Sequence, residues 1–231
     1  AAVLVDFGAS SGTGANTVSP DVNGNHWNNV NDHLASGPVY GLIDDTGAAS
    51  GISLDITQKF DGSNGIGAGG LLTPNAALLG DFAIATATED YFYFGSTVLP
   101  QITLSGLLSG YYYTFSFFGS RSFNDIFRQT TYKVTGGNGV FTTVLQTSGS
   151  GSGTLANPYG NDDDIAIISG ITANGSGQAV IDLSSAQIGY LGIMSIEAHR
   201  MVPEPGTVTL LFFGGVVLWR ARRHNLKLRV A

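Results

Sequence analysis

The chain has 231 residues, 33 of them glycine, only 12% charged, with no cysteine and a formal charge of −7. That length accommodates one domain of about 200 residues plus a tail. A composition rich in Gly, Thr, Ser, Val and aromatics argues against a helical protein, and the lack of cysteine excludes disulfides and thiolate metal sites. Charge is unevenly placed: residues 1–200 hold 16 acids against five bases, a formal −11, whereas 201–231 hold one acid against five bases, a formal +4. An acidic body repels nucleic acid, which removes that class of partner.

In chain order, the opening "AAVLVDFG" lacks Met and is already strand-like, as expected after removal of a leader behind small residues, or of a fragment. Gly8-Ala9-Ser10-Ser11-Gly12 fits G-x-S-x-G, but a nucleophile elbow must open a helix and "GTGANTVSPDVNG" forms a loop. The next segment holds His26, Trp27, Asn28 and Asn29. An indole flanked by amide and imidazole groups suits a sugar ring, so Trp27 and Asn28 are candidate ligand contacts; the alternative is that Trp27 plugs the edge of the fold. His26 and His33 lack the H-x-x-x-H spacing of a zinc helix and read as loop histidines.

"GISLDITQKF" alternates Ile52, Leu54, Ile56 and Phe60 against Ser53, Asp55, Thr57 and Lys59, which predicts a half-buried strand. Gly65 to Gly70 fits G-x-G-x-x-G, but Pro74 follows and no βαβ unit surrounds it, so a loop is expected. A short helix is expected after Pro74. "YFYFG", "PQITLSGL" and "YYYTFSFFG" are further strands, the last placing Tyr112 and Phe118 outward or against the second sheet, with Tyr112 a stacking candidate. Arg121 and Arg128, two of the five bases of the body, are expected to pair with an acid such as Asp125. "TTYKVTGGNGVFTTVL" predicts a hairpin turning at Asn138-Gly139. Clustered carboxylates occur at Asp44-Asp45 and Asp162-Asp163-Asp164. Hard oxygen ligands in a loop are what calcium uses, so Asp162 and Asp164 are candidate calcium ligands, against a solvated acidic loop. No other metal or cofactor is implied. "DIAIISGI", "QAVIDLS" and "YLGIMSIEA" complete some ten short strands. With no long helical period among them, the expected fold is all-β, a two-sheet antiparallel sandwich.

Taken in order, "VLVDFG", "NHWNNV", "ITLSGLLSGYYYTFSFFGSR", "RQTTYKVTG", "IAIISGITANGSGQAVIDL" and "YLGIMSIEA" resemble a domain recurrent in secreted proteins of environmental bacteria, itself similar to galactose-binding-like jelly rolls. The resemblance spans most of residues 3–198 and implies a jelly-roll-like body over residues 1–200.

The end of the chain differs in kind. Thr207 to Trp219 are thirteen residues without a charge, preceded by Pro203-Glu204-Pro205 and followed by Arg220, Arg222 and Arg223. As a helix this stretch rises about 20 Å, short of a membrane's roughly 30 Å hydrocarbon core, with arginines placed to snorkel on the cytoplasmic side. These three elements resemble the PEP-CTERM sorting signal of exported Gram-negative bacterial proteins, although "HNLKLRVA" continues beyond the arginines. The resemblance implies that residues 201–231 form a short transmembrane helix and basic tail, held in the inner membrane and cut by an exosortase near Pro203-Glu204-Pro205. It also implies delivery to the cell surface or an exopolysaccharide matrix, as in a biofilm. The function expected is non-enzymatic carbohydrate association; the alternatives are a structural or adhesive matrix component without a small ligand, and a secreted hydrolase.

Overall fold

In the computed structural model, residues 1–8, 16–122 and 125–201 are described. The strands are β1 (Ala2–Phe7), β2 (Trp27–Val30), β3 (Tyr40–Ile43), β4 (Ala49–Gln58), β5 (Gly62–Asn64), β6 (Tyr91–Gly95), β7 (Gln101–Ser105), β8 (Tyr111–Phe118), β9 (Arg128–Gly136), β10 (Gly139–Ser148), β11 (Ala166–Thr172), β12 (Ala179–Ser184), β13 (Ile188–Leu191) and β14 (Ile193–Arg200). Every strand expected from alternation is present. Gly192 breaks the expected "YLGIMSIEA" strand into β13 and β14; its N–H donates to the Phe118 carbonyl at 2.9 Å and its carbonyl accepts from Phe7 at 2.7 Å. The short β2, β3 and β5 carry too few alternating residues to be read from sequence.

The strands form a five-stranded sheet in the order β11-β8-β14-β1-β2, a six-stranded sheet β10-β9-β12-β7-β4-β3, and a three-stranded sheet β13-β6-β5. The six-stranded sheet is antiparallel throughout. In the five-stranded sheet β1 runs antiparallel to β14 but parallel to β2. The parallel pair is a departure from the purely antiparallel expectation, made possible because 19 residues separate Phe7 from Trp27 and give the chain room to cross over.

One hydrophobic core joins the two large sheets: Val3, Val5, Phe115, Phe117, Met194 and Ile196 from one, Leu54, Ile56, Ile102, Leu104, Tyr132, Val134, Ile181 and Leu183 from the other. Between them Phe117 and Tyr132 stack with ring centroids 4.5 Å apart and planes 4° from parallel. Burying each such side chain contributes about 1.5–3 kcal/mol before entropy is counted. The alternate residues Leu4, Trp27, Phe118 and Ile193 point to the other side of the five-stranded sheet, where Leu71, Leu79, Phe82, Ile84 and Ala87 cover them. β1, β8 and β14 are thus buried on both faces at one end, which is why they read as nearly continuous apolar runs. The cover includes α1 (Ala76–Leu79), capped not by Pro74 but by Asn75, whose side chain accepts from Ala77 N at 2.9 Å.

The β9–β10 hairpin is present, with Gly136 opposite Gly139, so the two connecting residues are Gly137-Asn138, one position earlier than expected. The positive φ of +130° does fall on Gly139. The earlier register follows from tertiary contact. A Cβ on Gly137 would collide with the Ala173 carbonyl, and Asn138 holds the tip on β11, donating to Gly170 O at 2.8 Å and accepting from Thr172 N at 3.0 Å. Residues 202–231, including the expected hydrophobic helix, lie outside the described residues. Among the described residues no helix is long and apolar enough to cross a membrane.

Candidate functional site

Alternation along the strands of the six-stranded sheet sends one set of side chains into the core and the other to the surface. On the surface, register aligns one residue from each of five strands: Thr142 of β10 opposite Lys133 of β9, Lys133 opposite Asp182 of β12, Asp182 opposite Gln101 of β7, and Gln101 opposite Gln58 of β4. A polar chain runs through them. Lys133 Nζ lies 2.9 Å from Asp182 Oδ2, Gln101 Nε2 donates to Asp182 Oδ1 at 2.8 Å, and Thr57 Oγ1 donates to Gln101 Oε1 at 2.9 Å. A groove of about 350 Å³ is lined by four members of this row, Thr142, Lys133, Asp182 and Gln58, by Thr131 and Ser184 one pleat away and by Leu183, and is walled by Leu99; Gln101 reaches it only through its hydrogen bond to Asp182.

The volume lies at the lower end of the range of small-molecule sites, roughly 300–1,000 Å³. Leu99 is 58% exposed, supplying an apolar wall at the rim. The Lys133–Asp182 pair is solvent-accessible and contributes about 0–1 kcal/mol to stability. Its consequence is orientation: each charge fixes the other's side chain, and amide, hydroxyl, ammonium and carboxylate are held side by side with hydrogen-bonding capacity to spare. Such a surface can bind a polyhydroxylated ligand by neutral and charge-assisted hydrogen bonds while presenting no net charge.

The residues singled out from sequence lie elsewhere and apart. Trp27 is only 2% exposed, and its Nε1 donates to Asp21 Oδ2 at 2.8 Å. The indole therefore plugs the layer between the five-stranded sheet and its helical cover, correcting its assignment as a stacking surface. Asn28 is a strut: Nδ2 donates to the carbonyls of Leu4 (2.9 Å) and Ile43 (2.8 Å), and Oδ1 accepts from Ile43 N at 2.8 Å. Tyr112 is 37% exposed on the outer face of the five-stranded sheet, stacked on His199 with centroids 4.8 Å apart; Phe118, on the same side of the strand, is covered by residues 71–87. Asp162 turns inward, accepting from Thr154 N (2.7 Å) and Oγ1 (2.6 Å), while the Asp164 carboxylate is part of an exposed residue. Among the described residues no three His, Asp or Glu side chains are gathered as a metal would require. Asp125 accepts from Ser150 N at 2.6 Å. Arg121 and Arg128 reach two buried tyrosines, donating to the hydroxyls of Tyr91 and Tyr190 respectively, and Tyr190 offers both guanidinium groups its ring, 5.9 and 5.7 Å from its centroid. Burial raises the pKa of both phenols, and the arginines partly oppose the rise.

His26 touches Ser19, His33 packs against Phe92, and His199 lies between Tyr112 and Thr114. Ser10 and the sorting-signal residues Pro203, Glu204, Pro205, Arg220, Arg222 and Arg223 lie outside the described residues. One strongly perturbed acid does emerge. Asp6, at the end of β1, is pushed up to about 7, first by burial and further by Glu89, against hydrogen bonds from Thr17.

Lys133, Gln101 and Asp182 were passed over in sequence. "TTYKVTG" and "AVIDLS" do show them as outward members of alternating strands, but 49 positions separate Lys133 from Asp182 and only the sheet order makes them neighbours.

No family model and no curated protein matches the chain. Among solved structures, it is similar to the carbohydrate-binding module TmCBM61, solved in complex with β-1,4-galactotriose, at 15% identity and a TM-score of 0.29, over 65% of this chain and 89% of that one. It is also similar to the enzymatically active domain of bacteriophage CBA120 tailspike protein 4, at 12% identity and a TM-score of 0.27, over 64% of this chain and 18% of that one. Likenesses this slight carry no argument about this chain's site, which rests on its own residues.

Proposed function

We propose that this protein is a non-enzymatic, carbohydrate-associating module that binds through the groove on the six-stranded sheet. The observation that carries the reading is the Lys133–Asp182–Gln101–Thr57 hydrogen-bonded chain, whose Lys133 and Asp182 line a groove of about 350 Å³ while Gln101 and Thr57 hold Asp182 from the side. Sugar hydroxyls both donate and accept, and so does this row. Among the described residues, the dispersal of His26, His33 and His199 over separate segments, each with its own partner, supports binding without catalysis. The sandwich is read as jelly-roll-like because successive strands cross between sheets: β7 in the six-stranded sheet, β8 in the five-stranded, β9 and β10 back, β11 across and β12 back again. Export, exosortase processing and delivery to the cell surface or matrix belong to the same proposal, supported by Pro203-Glu204-Pro205, the uncharged stretch and Arg220, Arg222 and Arg223.

The test is a glycan array of the full chain beside Asp182→Ala and Gln101→Ala, each confirmed to melt as wild type. Binding lost in both variants supports the groove. Binding retained in both removes it, and no binding by wild type removes carbohydrate association.

A further inference from the structure

Resting on the carbohydrate reading above, we infer that the row Thr142–Lys133–Asp182–Gln101–Gln58 tracks an internal stretch of an extended, neutral polysaccharide, with successive sugars over successive strands. The row runs perpendicular to the strands, one side chain per strand. Neighbouring strands lie about 4.8 Å apart, so the five side chains span about 19 Å, and the spacing is close to the roughly 5 Å advance per ring of an extended, equatorially linked pyranose chain. A chain laid along the row meets an equivalent hydrogen-bonding position at each of about four sugars. A chain laid along a strand meets side chains on this face only every second residue, about 6.6 Å apart, and falls out of step.

Three features define the ligand further. Thr142 and Gln58, at the two ends of the row, are both exposed, so nothing there demands a chain terminus. The row carries one cation and one anion in contact, set in a body of formal charge −11. A uronate or sulfated polymer would be repelled by that body without a surplus cation in the groove to hold it, whereas a neutral polymer meets no such opposition. Finally, strands turn by about 20–25° from one to the next about the direction in which the row runs. The track therefore fits a single dissolved chain free to twist, and a flat crystalline polymer surface cannot follow it.

Titration calorimetry of the full chain with β-1,4-linked gluco-, manno- and xylo-oligosaccharides of two to six units, all equatorially linked, tests this. For a sugar that binds, affinity should rise with each unit up to about four and then stay level, and reducing the terminal sugar to its alditol should leave the hexamer unaffected. Thr142→Ala and Gln58→Ala should weaken the tetramer by about three- to tenfold, one hydrogen bond's worth, and leave the disaccharide unchanged. Full affinity already at one or two units, dependence on the reducing end, or stronger binding of acidic than of neutral oligomers would overturn the track while leaving carbohydrate binding intact. Failure of every oligomer, together with silence on the array, would overturn both.

Discussion

Replacing Trp27 separates a structural plug from a sugar platform. The side chain is 2% exposed. It packs among Leu4, Leu79, Phe82, Ile84 and Phe118, and its Nε1 donates to Asp21 Oδ2 at 2.8 Å. Truncation to alanine removes this burial and leaves a cavity between sheet and cover, which costs about 3–5 kcal/mol. Asp21 keeps its bonds from Asn23 and Asn25 and is part-exposed, so the stranded carboxylate adds little. For a domain of this size each kcal/mol lowers the melting temperature by about 2–4 °C, giving a fall of about 6–20 °C for Trp27→Ala. Trp27→Phe keeps most of the packing and loses the charged-acceptor hydrogen bond, about 1.5–3 kcal/mol or about 3–12 °C. Thermal unfolding by circular dichroism reads both, and retention of Trp27→Phe on a bound glycan should equal that of wild type. A melting temperature for Trp27→Ala within 2 °C of wild type, or loss of glycan retention in a stable Trp27→Phe, would refute the plug.

Gly139→Val should cost on the order of 1 kcal/mol or more, because Gly139 sits at φ +130°, where a β-branched residue is strained; an unchanged denaturation midpoint counts against it. Asp6 has a folded-state pKa of about 7 against an ordinary 3.8. Its stabilising contribution is therefore complete below pH 4 and is lost as pH rises through about 7. Asp6→Asn should gain on wild type by a few kcal/mol between pH 4.5 and 8, and parallel stability profiles over that range would exclude this origin. Glycan retention through a groove whose one cation and one anion cancel should change less than about twofold between 50 and 500 mM salt, whereas a steep decline would indicate ionic binding. Phe117→Ala, which leaves Tyr132 without its ring partner across the core, should cost about 3–5 kcal/mol in urea unfolding.

What the sequence determined by itself was periodic and local. Ile52, Leu54 and Ile56 alternate with Ser53 and Asp55 because a strand facing a core on one side has no other solution, and the structure buries those three side chains. Gly136-Gly137-Asn138-Gly139 between two β-branched runs announced a hairpin, and Gly139 does take the positive φ that few other residues accept. What sequence could not carry was which face and which neighbour. Trp27 beside polar Asn28 and Asn29 read either as a sugar contact or as an edge plug, and its burial is decided by the cover that residues 71–87 lay over it, more than 40 positions away. That Tyr91 and Tyr190 converge on Arg121 and Arg128 from distant strands could not be read from the segment that holds the arginines. The groove itself is a property of sheet order. Lys133, Asp182, Gln101 and Gln58 come from four separate strands, and only the antiparallel registers that bring them onto one row turn four ordinary polar residues into a continuous hydrogen-bonding surface.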